Sequence, residues 1–68
     1  MNIIEDVFEL LSDGIQRKAT DISRELKVDL PIINEVLAFL TEYNLVRRGH
    51  DGSYVLDEEV KRILDIES

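Results

Sequence analysis

Cysteine and tryptophan are absent from this chain of 68 residues, and histidine, proline and methionine occur once each. Without cysteine there are no disulfides and no thiolate metal ligands, so the fold must be held by packing alone, which fits a reducing, cytoplasmic setting. The single histidine, His50, has no second histidine to complete a metal site, and Asp51 beside it does not supply a known ligand spacing. No apolar run approaches membrane-spanning length. The opening stretch MNIIEDVFELL breaks its apolar pattern with Glu5, Asp6 and Glu9 and carries no basic leader, so no signal peptide is expected. Its acidic polar face would also be repelled by anionic lipid, and no membrane partner is expected.

Catalytic constellations are missing as well. Ser12, Ser23 and Ser53 have no base beside them, and Asp57, Glu58 and Glu59 read as a helix cap rather than an acid–base pair. Gly49 and Gly52 do not precede a lysine and a helix in the manner of a phosphate-cradling loop. The expectation is a non-enzyme with no cofactor and no metal.

What the chain has is a core-forming composition, 44% hydrophobic with 34% charged residues, typical of one small globular domain. A domain of this size buries only roughly 60% of its unfolded surface, so a single compact core is expected. The net charge of −7 opposes a polyanionic partner, but it is unevenly spread. Residues 1–13 hold four acids and no base, and residues 57–68 hold five acids against Lys61 and Arg62. The segment 14–56 balances six bases (Arg17, Lys18, Arg24, Lys27, Arg47, Arg48) with six acids. The acidity belongs to the two ends.

Apolar residues at Ile3, Ile4, Val7, Phe8, Leu10 and Leu11 fall at helical spacing and predict a helix over 2–13, ended by Asp13-Gly14. A short extended piece, Ile15 to Lys18, leads into a second helix over 19–27, with Ile22 and Leu26 on its apolar face. Asp29 is a candidate N-cap whose carboxylate could accept from free amides, and Pro31 suits a first turn. The third helix is expected over 30–44 and a hairpin over 45–56. Its turn, Gly49-His50-Asp51-Gly52, has the residues that adopt positive backbone angles. A last helix, 58–66, would be capped by Asp57.

The segments TDISRELKVD, PIINEVLAFLTEYNLV and RRGHDGSYVL together resemble the winged helix-turn-helix domains, especially the small archaeal and bacterial transcription-regulator type. The resemblance spans roughly residues 15–57. It implies a fold that is mainly α with a small β-hairpin wing: a three-helix core plus a C-terminal helix, in one domain over 1–68. Asn44-Leu45-Val46 stands where the family has a glycine-leucine-valine exit, and asparagine also tolerates the left-handed conformation.

The function implied is a DNA-associated regulator that grips double-stranded DNA weakly, through its backbone. Arg17, Lys18, Lys27, Arg47, Arg48 and His50 lie where family members flank phosphates, while Asn34, Ala38 and Thr41 would lie nearest the bases. Periodicity on the third helix centres its core side on Ile33, Leu37 and Leu40, to which the resemblance adds Val36, and turns Glu35 and Glu42 outward, a poor surface for base reading. Ile32, Phe39 and Tyr43 form an additional apolar line on its flank. Either the first or last helix covers that line, the latter through Val60, Ile63 and Leu64, or it is a patch for a protein partner or a homodimer. The competing function is therefore a protein-interaction adaptor using the acidic and apolar surface of the third helix.

Overall fold

A computed structural model describes residues 2–67. Four helices and three short strands follow one another as α1 (Ile3–Leu11), β1 (Arg17–Lys18), α2 (Ala19–Leu26), α3 (Leu30–Glu42), β2 (Val46–Arg48), β3 (Ser53–Leu56) and α4 (Glu58–Glu67). The architecture is mainly helical with a small antiparallel sheet of order β1-β3-β2.

Local chemistry sets most boundaries. The Asn2 carboxamide oxygen accepts from the amides of Ile4 at 3.1 Å and Glu5 at 3.2 Å, so Asn2 caps α1 and the helix begins one residue later than expected. It also ends earlier than 13. Ser12 closes it, and Gly14, at a φ of 79°, donates its amide to the Leu11 carbonyl. A Cβ at Gly14 would lie 2.7 Å from Cε of Lys61, so glycine here serves both the backbone angle and the close approach of α4.

The two later helices end alike. Lys27 and Asn44 sit in the left-handed region at φ of 58° and 61°, and the amides just beyond them, on Val28 and Leu45, reach back to the carbonyls of Ser23 and Leu40. This Schellman-type closure satisfies carbonyls that would otherwise be orphaned. Helix α2 thus ends at 26 and α3 at 42 rather than at 27 and 44.

At the start of α3 the expectation for Asp29 fails. Its carboxylate makes no capping bond; its backbone carbonyl instead accepts from Ile32 at 3.0 Å and Ile33 at 3.2 Å. Of the two amides a capping side chain uses, Pro31 has none to give and that of Ile32 is taken by the Asp29 carbonyl. Asp57 does cap α4, its Oδ2 accepting from Glu59 at 3.0 Å and Val60 at 3.4 Å.

Val7, Leu11, Ile22, Ile33, Leu37, Leu40, Val46 and Leu56 are all but inaccessible to water and join the three first helices to the sheet in one core. Strand β3 lies at the centre of the sheet, pairing Val46 with Leu56 and Arg48 with Tyr54 on β2, and Arg17 with Tyr54 on β1. In the turn 49–52 only Gly52 has a positive φ, 83°, where two glycines had been expected to. Asp51 supplies the rest of the turn, its Oδ1 accepting from the amide and the hydroxyl of Ser53. These bonds hold the Asp51 carboxyl below the usual carboxylate range.

Helix α4 contributes Val60 and Leu64 to the edge of the core and leaves Ile63 and Ile66 exposed. The whole surface is 4850 Å², against about 4400 Å² for an average folded chain of this mass.

Candidate nucleic-acid interface

The hairpin β2–β3 presents its cations on two faces. Val46 and Leu56 point into the core, so alternation puts Arg48 and Tyr54 on the same side nearer the tip and turns Arg47 and Val55 away. The Arg48 guanidinium lies 5.8 Å from the centre of the Tyr54 ring, a cation–π distance that steadies the side chain without neutralising it. Arg47 donates from Nε to Asp57 Oδ1 at 2.9 Å, yet its side chain stays 68% exposed, so its terminal nitrogens still face water. That hydrogen bond is the main reason the Asp57 carboxyl is held below its ordinary range; burial opposes it, and the amides of Val60 and Glu59 assist.

Arg17 is placed differently from the expectation. Its Nη1 donates to the Leu10 carbonyl at 2.8 Å, and its two terminal nitrogens clasp the Asp13 carboxylate at 2.9 and 2.7 Å. Glu25 lies 3.8 Å from its Nε, and the side chain is only 18% exposed. Arg17 therefore bolts the end of α1 to β1 and has no free fork for a phosphate. The same contact, with the Ile15 amide, lowers the Asp13 pKa to about 2, while Asp13 raises that of Arg17.

The remaining cations are freer. Among the described residues Lys18, Lys27 and Arg48 make no ion pair, whereas Arg24, Lys61 and Arg62 are engaged with Asp21, Asp65 and Glu59 on their own helices. Lys18 opens α2, Lys27 closes it, and Arg48 and His50 occupy the wing, with His50 exposed near its tip.

On α3, Asn34 and Ala38 are exposed, and Thr41 is half-buried with its hydroxyl donated to the Leu37 carbonyl at 2.7 Å. Glu35 and Glu42 share the outward surface, so a duplex approaching α3 would meet two carboxylates and no base. The apolar flank is not covered by either neighbouring helix: Ile32, Phe39 and Tyr43 are 46%, 42% and 63% exposed. Phe39 and Tyr43 touch in a tilted arrangement, ring centres 4.9 Å apart. Helix α1 stands beside this flank instead of over it. Between them run two shallow depressions of about 390 and 300 Å³ that share Ile4 and Phe39.

Sequence reasoning offered the broad apolar surface of helix one as a dimer face, but did not pair its Ile4 and Phe8 with the flank of α3. The available signal was the doubled apolar pattern Ile3-Ile4, Val7-Phe8, wider than one core-facing stripe requires. Among the described residues no cluster of three His, Cys, Asp or Glu side chains could hold a metal, and no helix is long and apolar enough to cross a membrane. No family model, no curated protein and no solved structure matches this chain.

Proposed function

We propose that the chain is a non-enzymatic winged helix-turn-helix module of the transcription-regulator type, which holds double-stranded DNA weakly by its phosphates. The reading draws on the α2–turn–α3 unit closed by Lys27, and on the β2–β3 hairpin as the wing. One observation carries it. Of the eight lysines and arginines, the three that make no ion pair among the described residues, Lys18, Lys27 and Arg48, lie at the two ends of α2 and on the β2–β3 hairpin. Arg47 and His50 complete the set, and Arg17 leaves it.

Such contacts position a duplex without reading its sequence. Asn34 and Ala38 are the nearest candidates to touch base edges, with Thr41 behind them, and Glu35 and Glu42 keep the affinity low. A homodimer would double the phosphate contacts and raise the affinity without new chemistry. A cytoplasmic place of action belongs to the same reading.

The test is titration of a labelled duplex at low and moderate salt. Three to four neutralised phosphates give a log–log slope of about −3, that is, a loss of roughly 40- to 150-fold between about 50 and 200 mM salt. Absence of binding at low salt would remove the proposal.

The second reading, a protein-interaction adaptor, is favoured by the uncovered Ile32, Phe39 and Tyr43 beside Glu35 and Glu42. Lys18→Ala with Arg48→Ala abolishes duplex binding under the first reading, and Phe39→Ala leaves it intact.

A further inference from the structure

The helices α1 and α3 carry five carboxylates, Glu5, Asp6, Glu9, Glu35 and Glu42, and not one lysine, arginine or histidine. None of the five is in an ion pair among the described residues. Between the helices lie the two adjoining depressions, lined by Ile4, Phe8, Ile32 and Phe39 with Glu5 at one side and Glu35 at the other. Five bases elsewhere on the molecule pair with acids, and none of the eight lies on these two helices. An apolar floor with wholly anionic rims selects against nucleic acid and anionic lipid, and in favour of a ligand that is both apolar and cationic.

The dimensions suit a helix. Ile32 and Phe39 line the depressions seven residues apart on α3, about 10 Å or two helical turns, and Tyr43, at the C-cap beyond them, carries the apolar line on by about one turn more. We propose that this groove docks a basic amphipathic helix from a partner protein, its apolar side against Phe39 and Ile4 and its cations against Glu5 and Glu35. This is the helix-in-groove mode of recognition, with the floor giving affinity and the rims giving choice of partner and orientation.

A second copy of this chain is the poorer occupant. Its own exposed amphipathic helix, α4, holds four acids against Lys61 and Arg62, and both of those bases are committed to acids one turn away. Two chains of net charge −7 would also have to bring acidic surfaces together.

The inference is independent of DNA binding, and its test uses the full chain. A fluorescent peptide of about three to four turns, with leucine on one face and lysine on the other, is titrated by anisotropy beside a twin in which every lysine is glutamate. The lysine peptide binds in the micromolar range and the glutamate twin does not. Phe39→Ala, and separately Glu5→Lys with Glu35→Lys, each weaken it at least about tenfold, the effect of losing an anchor or its guiding charges. Because all three side chains are exposed, circular dichroism melts of the variants stay close to the parent. Duplex titration with Phe39→Ala is unchanged, so failure of one reading is visible apart from the other. Equal binding of both peptides, or no effect of the groove variants, overturns the proposal. So does a concentration-dependent dimer of the chain alone that Phe39→Ala dissolves, since the groove would then belong to a second copy.

Discussion

Replacing Arg17 with methionine keeps an apolar stem at that position and removes the guanidinium that ties α1 to β1. Three contacts disappear: the bond to the Leu10 carbonyl at 2.8 Å, the double clasp on Asp13, and the longer approach to Glu25 at 3.8 Å. The last two involve carboxylates 41% and 55% exposed, so water and salt screen them and they add little. The first joins a charged donor to a carbonyl at the end of α1, which nothing else in the last turn replaces, and such a bond contributes about 1.5 kcal/mol. For a domain of this size that is a fall in Tm of roughly 6–12 °C. The assay is thermal unfolding followed by circular dichroism at neutral pH, paired with duplex titration at low salt below the transition. The expected result is a lower Tm with unchanged DNA affinity. A Tm within about 2 °C of the parent, together with a loss of affinity as large as that of Arg48→Ala, would refute the assignment of Arg17 to structure.

Other outcomes follow from the same geometry. Lys18→Ala, Lys27→Ala and Arg48→Ala, made singly, should each shallow the salt dependence of duplex binding by about 0.9 in log–log slope, measured across a salt series. Lys27→Gly relieves a left-handed backbone and should raise stability by about 0.5–1 kcal/mol while weakening DNA, two readouts moving in opposite senses in one variant. Asp13 is held at a pKa of about 2 against an ordinary 3.8, so its contribution is complete above about pH 4 and lost as pH falls toward 2. Acid unfolding of Asp13→Asn should accordingly be flatter over that window, from a lower starting stability. Leu37→Ala opens a cavity at a fully buried site and costs about 2–5 kcal/mol, read as a lower midpoint in denaturant titration.

Much of the helical frame was legible because its punctuation is chemical. Asp57 and Gly14 announce ends, Asn44 does so through its tolerance of the left-handed region, and the apolar spacing of α3 names Ile33, Val36, Leu37 and Leu40 as core. What escaped depends on neighbours distant in sequence. Strand β1 was expected as an extended piece from Ile15 to Lys18, but that only Arg17 and Lys18 form a strand is decided by β3 beside them. Asp29 had the right side chain for a cap, but the backbone carbonyl took the bond because Pro31 withheld a donor. Arg17 and Lys18 are adjacent cations, and only packing reveals that the first is locked in an ion pair and the second is outside one among the described residues. The line Ile32, Phe39 and Tyr43 was visible as surplus apolar surface, whereas its pairing with Ile4 and Phe8 required knowing where α1 settles.

The small sheet has a bearing on how the molecule can associate. Its two margins, β1 and β2, are two and three residues long and carry Arg17-Lys18 and Arg47-Arg48. A stranger's extended segment would find too few backbone groups to pair with and like charges at each flank, the arrangement that discourages edge-to-edge stacking into fibrils. Association is thereby channelled to the helices, where shape and charge can discriminate, and away from the main chain, which cannot tell one polypeptide from another.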